Sequence, residues 1–290
     1  MSSSICNKSL LLVLTSAILE AHLFLPATAQ QLEYPPLINV SGTNFYTDNR
    51  GSVVDQNSES KNERERAPVN DFAEFVIESV DGSPSWSKLK NPSADRANEI
   101  LEQWASADAL RTAKLPDGSF SRYGEINRKM MIGTMVVLAL KLKTHGLVLG
   151  PHVVPWLNRL VQGLIESIHK HLAANSDPHP YGNIYVQSGY IAAVYTLISH
   201  NQESYRFQDE VWKNAINSID ENGYLPSELA RGRRALVYHI RWLDYALMLR
   251  AARRALGLHT RPWEEARLKK VGDCISKAFC DAKAMSTIAA

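Results

Sequence analysis

The sequence predicts an all-α fold built from antiparallel helix pairs. Apolar residues recur at helical spacing beyond residue 67, period-2 strand patterns are absent, and short polar links rich in Pro, Gly and Asn separate the periodic stretches. In order these stretches are "VNDFAEFVIESV", "SADRANEILEQWASADAL", "NRKMMIGTMVVLALKLK" and "PWLNRLVQGLIESIHKHL", then "SGYIAAVYTLIS", "FQDEVWKNAINSI", "RRALVYHIRWLDYALMLRAARRAL" and "PWEEARLKKVGDCISKAF". Pro68, Asn91-Pro92 with Ser93 as N-cap, Pro151, Pro155, "SDPHPYG", "ENGYLP" and Gly257 set their limits. About eight helices of roughly 12 to 20 residues follow, and links this short make consecutive helices antiparallel neighbours. No repeat is sharp enough to define a solenoid.

Before the helices, "MSSSICNKSLLLVLTSAILEAHLFLPATAQQ" carries one lysine, an apolar run from Leu10 to Leu19 and Ala27-Thr28-Ala29. This has the order of a secretory signal cleaved after Ala29. Glu20 and His22 interrupt it, and a membrane span needs about 20 apolar residues. The expected organisation is a signal over 1–29, an extended polar arm over 30–66 and one helical domain over 67–290. The mature protein is expected to be periplasmic or secreted, monomeric and without a membrane span.

A net charge of +2 does not suggest nucleic acid, which demands a strongly basic patch. The local cluster Arg231, Arg233, Arg234 and Arg241 favours an acidic ligand. Cys274 and Cys280, six residues apart, can bridge only across a bend, because on one helix they stand about 9 Å apart. HExxH, cysteine clusters, Walker and Rossmann glycine patterns and a GxSxG elbow are all missing, so neither a metal nor another cofactor is expected. A two-carboxylate glycosidase stays open as an alternative, although Asp220, Glu221 and Glu228 lie at helix ends, where carboxylates cap or stay solvated. Asn39-Val40-Ser41 matches a glycosylation sequon by pattern alone.

The segment "GYLPSELARGRRALVYH", residues 223–239, is different. Pro226 and Gly232 keep the chain irregular up to Gly232 and start the helix near Arg233, so Arg231 can fold back over Tyr238. That geometry suits proton abstraction next to a carboxylate. The carbanion is a dianion unless donors neutralise the carboxylate. A tyrosine can then serve as base and return the proton to the leaving oxygen. Its ordinary pKa of about 10 must fall by roughly two units, about 3 kcal/mol, and Arg231, Arg234 and His239 can supply the charge. On spacing alone the other reading also stands: a tyrosine on an amphipathic helix is usually a core or rim residue.

The same segment resembles the signature of the alginate lyase family, all-helical enzymes that cleave mannuronate polymers: G-[FY]-L-P-x-E-L leading through arginines into R-A-L-x-Y-H. "NQESYRFQDEVWKNAINSIDENGYLP", "RKMMIG" (residues 128–133), "ILEQWASADAL" and, more weakly, "YTDNRGSVVD" are similar to further family segments, so the resemblance covers about residues 43–258. It implies an incomplete (α/α) toroid and metal-free β-elimination on a uronate polysaccharide. Tyr238 would be acid and base, Arg231 a carboxylate neutraliser, Asn183 the asparagine of the family's N-N-H-x-Y-W motif, and Arg128 and Lys129 substrate contacts; Arg234 and His239, from the charge around Tyr238, are expected to join them in binding substrate.

Two positions depart from the family. "YGNIYVQSGY" places Ile184 where the family has its histidine, and Met130 replaces the tryptophan of R-K-W. Isoleucine neither donates a hydrogen bond nor takes a proton, and losing such a donor costs about 3 kcal/mol of barrier. Three expectations compete: a lyase for a different uronan, an enzyme in which His179 or His239 compensates, and a polyuronate-binding protein that does not cleave.

Overall fold

The computed structural model describes residues 34–48, 53–81, 93–174, 179–281 and 283. The chain divides into Met1–Pro35 and Pro36–Ala290. The leader expected over 1–29 lies outside the described residues, and every described helix belongs to the second unit. These are α1 (Gln56–Asp81), α2 (Ala94–Ser106), α3 (Arg122–Thr144), α4 (Val153–Ala174), α5 (Asn183–Ser199) and α6 (Gln202–Asn217), the single turn α7 (Pro226–Leu229), then α8 (Ala235–Ala255) and α9 (Pro262–Cys280). A 3-10 turn over Gly232–Arg234 leads into α8. Among the described residues, β structure is limited to isolated bridges.

The apolar pattern of each helix decides its layer. α2, α4 and α6 bury one stripe; in α4 it is Trp156, Leu157, Leu160, Val161, Leu164, Ile165 and Ile168. Such one-sided helices cover a core from outside. α5 is apolar all round, with 13 of its 17 residues buried, and it packs on α3, α4, α6 and α8. Glycine permits the close approach: a Cβ on Gly189 would come within 2.5 Å of the Val211 side chain on α6. α1, α3, α5 and α8 are successive inner neighbours, each followed in the chain by an outer helix, α2, α4, α6 or α9. The result is the open (α/α) toroid. The first turn of α5 and the entry to α8 lie together, joined by the Asn183 N–H on Glu228 and by Arg231 beside that carboxylate.

Trp104, Trp156, Trp212 and Trp242 are fully buried. Burial of each ring contributes about 2–3 kcal/mol, provided the indole N–H finds an acceptor. Trp156 donates to the Ala109 carbonyl (2.7 Å), Trp212 to Glu264 Oε1 (3.0 Å) and Trp242 to the Tyr181 carbonyl (3.2 Å). The last of these fastens α8 to the segment entering α5.

The expected boundary at 67 is corrected. α1 starts at Gln56 and runs through Pro68. A proline inside a helix removes one hydrogen bond; here the deprived carbonyl belongs to Arg64, an exposed residue. The early turns of α1 are held by a polar anchor. Buried Asn62 accepts from Thr43 N–H (2.9 Å), donates to the Thr43 carbonyl (2.8 Å) and receives Asn127 Nδ2 (3.2 Å). The described part of the arm is therefore docked, not loose. Residues 37–40 pair with 110–112, and Thr47 and Asp55 bond back to Val53 and Phe45.

Cys274, buried, and Cys280, exposed, are both free on the continuous helix α9. The Asn39 side chain is committed to Lys114 and Thr112, so the sequon residue serves as a structural clamp.

Candidate active site

The segment 223–239 is fastened at several points. Asp220 Oδ1 accepts the N–H groups of Asn222 and Tyr224, forming the turn in which Gly223 takes φ +88°. The Leu225 N–H donates to His239 Nε2 (3.0 Å), and His239 Nδ1 donates to the Ala235 carbonyl (2.8 Å). Gly232 adopts φ +53°, a conformation glycine takes without strain, and turns the chain just after Arg231. The helix proper begins two residues later than the sequence suggests, at Ala235.

This fold-back brings Arg231 over Tyr238, with its guanidinium carbon 5.0 Å from the ring centroid. Arg234 and Arg241 approach the same ring at 5.7 and 5.6 Å. Tyr238, on the first turn of α8, is 5% exposed. Three cations around one phenol are an expensive arrangement unless an anion joins them.

The site also contains a residue that the sequence reading did not single out. Tyr46, from the docked arm, lies 5.8 Å from the Arg234 guanidinium. Burial raises its phenol pKa while Arg234, Arg231 and Arg241 oppose the shift, so its hydroxyl stays a donor. Only the weakly matching stretch "YTDNRGSVVD" pointed to it, and no helical period runs through that stretch.

Glu228 is the second correction. It is not a solvated helix-end charge: it is 1% exposed, and its Oε1 accepts the Asn183 N–H at 2.6 Å, at the first turn of α5. Arg231 Nε stands 3.9 Å from its Oε2. Burial pushes the carboxyl pKa up to about 7, against the Asn183 N–H and Arg231, which lower it. Among the described residues, four buried side-chain polar atoms lack a partner: Asn98 Oδ1 on α2, and Tyr46 Oη, Glu228 Oε2 and Arg234 Nη1. Buried polar groups are normally paired; of these, Arg234 adjoins the Tyr238 ring, Tyr46 adjoins Arg234, and Glu228 adjoins Arg231, which leans over the same ring.

The remaining expected contacts fare differently. His239 is fully buried with both ring nitrogens engaged, and burial lowers its pKa, so it is a neutral strut and neither a substrate contact nor a source of positive charge. Arg128 is engaged within the fold. Its Nε and Nη2 grip Glu125 at 2.7 and 3.0 Å, and its Nη1 donates to the Leu110 carbonyl. Lys129 is half-buried, its ammonium pKa lowered by burial, and its charged neighbours are Glu125 and Arg128. Met130 sits 3.9 Å from Arg66 Nη1 through its sulfur. Asn183 is buried and reaches the Tyr238 cluster through Glu228 and Arg231. Exposed His179 lines a cavity of about 340 Å3 with Tyr181, Asn214, Asp220, Pro226 and Ser227.

An (α/α) toroid with Arg231, Arg234 and Arg241 around Tyr238 at the start of α8 places the chain in the class of all-helical toroid proteins. Residues 43–279 match the model of the family described as "Alginate lyase", and the chain belongs to that family. Curated relatives include an alginate lyase of Pseudomonas syringae pv. tomato, 26% identical over 186 residues, which are 62% of this chain and 47% of the relative. A polysaccharide lyase of Stenotrophomonas maltophilia is 25% identical over 218 residues, 72% of this chain and 59% of that one. The chain thus spans about half the length of the curated relatives it matches. Among solved structures, a histidine-to-alanine variant of alginate lyase A1-III complexed with tetrasaccharide superimposes with a TM-score of 0.68. Identity is 18%, and the match covers 88% of this chain and 69% of that one. The A1-III enzyme from Sphingomonas species A1 gives 0.59 at 16% identity over the same shares. These likenesses establish the fold.

Proposed function

We propose that this protein is a polysaccharide lyase that cleaves a uronic-acid polymer by β-elimination, with Tyr238 as the proton-transfer residue. The observation that carries this is the enclosure of the Tyr238 ring by Arg231, Arg234 and Arg241 within 5.7 Å. The relatives bear the names alginate lyase and polysaccharide lyase, and a related fold holds a tetrasaccharide. Both fit an anionic sugar chain as ligand.

In the proposed reaction Arg231 takes the substrate carboxylate, and the developing enolate charge is held where the cations already stand. Tyr238, as phenolate, removes the proton on the carbon next to the carboxylate. The bond from the neighbouring carbon to the glycosidic oxygen breaks, that oxygen takes the proton back from Tyr238, and a carbon–carbon double bond remains in the new end. Base and acid are one group, so the protein ends unchanged. Tyr46 donates its hydroxyl to a substrate oxygen, and Arg234 Nη1 finds its acceptor there. No step requires a metal. The leader-like residues 10–29 support export, and we place the reaction outside the cytoplasm. The protein is expected to act as a monomer.

The test is absorbance of unsaturated ends on mannuronan, guluronan and glucuronan, with Tyr238→Phe as control. Growth with wild type and none with the variant is expected; a wild type inert on all three polymers overturns the reading. Ile184 favours a second reading, a polyuronate-binding protein that retains the cleft but not the chemistry. Its mark is binding without turnover, and turnover gained on Ile184→His.

A further inference from the structure

We propose that Glu228 is a positioning residue of the uronan site, whose ionisation governs how freely Arg231 can take the substrate carboxylate. The proposal rests on the lyase reading for its consequence in binding and turnover, and on geometry for the device itself.

Glu228 is wedged between two parts of the site. On one side its Oε1 receives the Asn183 N–H (2.6 Å), and Gly182 makes room, since a Cβ there would lie 3.0 Å from that oxygen. On the other side Oε2 has no partner and faces Arg231 Nε across 3.9 Å, too far for a hydrogen bond. The one-turn helix α7 that carries Glu228 is pinned at Leu225 by His239, so the carboxyl group has little freedom to withdraw.

Arg231 is the charged side chain acting on Glu228. Of the other groups nearby, His239 on α8 is buried and feels Asp220, while Arg234 and Arg241 act on Tyr46 and on the face of Tyr238. Burial brings the carboxyl to about 7, so both forms are populated near neutrality. Ionised, Glu228 draws Arg231 and competes with a substrate carboxylate for it. Protonated, it leaves Arg231 unopposed while still accepting the Asn183 N–H. Linkage makes the effect reciprocal: a mutual repulsion worth one pKa unit is roughly a tenfold change in substrate affinity.

The experiment uses the full chain carrying Tyr238→Phe, so that ligand is bound without being consumed, with and without Glu228→Gln. The probe is a mannuronate tetrasaccharide, with glucuronate tetrasaccharide as second probe, titrated calorimetrically from pH 5.5 to 8.5. Glutamine keeps the acceptor for Asn183 and mimics the protonated acid. The expected result is a Kd that rises roughly tenfold across pH 7 with Glu228 and stays flat with glutamine. Parallel curves, whether both flat or both rising, overturn the proposal. If neither probe binds at any pH, the uronan reading falls; the 15N signals of the Asn183 amide and Arg231 Nε then decide for Glu228 alone. Movement of both near pH 7 that disappears in Glu228→Gln supports the device, and static signals overturn it.

Discussion

Glu125 and Arg128 stand three residues apart on α3, and Glu228 and Arg231 stand three residues apart at the turn before α8, yet the two pairs are opposite in kind. The first is closed: two guanidinium nitrogens meet the carboxylate at 2.7 and 3.0 Å, and the third reaches the Leu110 carbonyl. The second is open: the gap is 3.9 Å, one carboxylate oxygen has no partner, and the arginine leans over a tyrosine ring. The same spacing in sequence yields a closed strut in one place and an open, incompletely bonded pair in the other. What separates them is whether the surrounding backbone completes the hydrogen bonding of the charges.

The largest effect that can break this contrast belongs to Tyr238. Tyr238→Phe removes only the hydroxyl, and the ring still fills its buried place. A loss of roughly 1,000-fold in kcat is expected, with melting temperature nearly unchanged, because proton transfer by a placed group contributes on that order. Retained turnover in this variant would put the chemistry elsewhere. The next effect is the comparison itself. Arg231→Ala should cost about 100-fold in kcat/KM with little loss of stability. Arg128→Ala should leave kcat/KM near wild type but destabilise the fold by about 3 kcal/mol, since it strands a buried carboxylate. Steady-state kinetics and urea unfolding on both variants would show an exchange of roles if the assignment of strut and site were reversed.

The eight long helices were legible because α2, α4 and α6 bury one regular stripe and α5 is apolar all round, patterns that burial imposes on sequence. The start of α1 was not, because Asn62 anchors it through polar contacts that have no period. The approach of Arg231 to Tyr238 could be read from Gly232 and the cationic crowd. The internal bonding of Arg128 and His239 was not legible for one physical reason: a polar side chain in sequence does not say whether its donors are already taken. Glu228 and Tyr46 erred in the other direction. A carboxylate at a helix end is usually solvated, and only tertiary packing reveals that this one is 1% exposed.

Stability against pH sharpens the contrast at the open pair. The folded-state pKa of Glu228, about 7, lies above its ordinary value of 4.5. The native state therefore keeps its full stability below the ordinary value and loses it as pH rises through 7. The loss amounts to about 3 kcal/mol once the acid is fully ionised. Glu228→Gln should abolish that fall, so its advantage over wild type in urea unfolding grows from pH 5 to pH 8.5. An equal pH slope in both proteins would mean that the carboxyl is not held in its raised state.

The smallest expected effect separates a ligand-seeking group from a packing defect. Tyr46 Oη is buried without a partner, and such a group costs about 1 kcal/mol or more in the free protein. Tyr46→Phe should therefore stabilise the fold by about 1 kcal/mol, a gain that a hydroxyl with a protein partner would not give. If the hydroxyl donates to the uronan, the same substitution must raise KM by roughly five- to tenfold, because a neutral hydrogen bond is worth about 1 kcal/mol. The two changes have opposite signs, one favouring the empty protein and the other penalising the complex. A stabilised variant with unaltered KM would make Tyr46 a wall of the site, and leave Arg231, Arg234 and Arg241 to hold the polymer by charge alone.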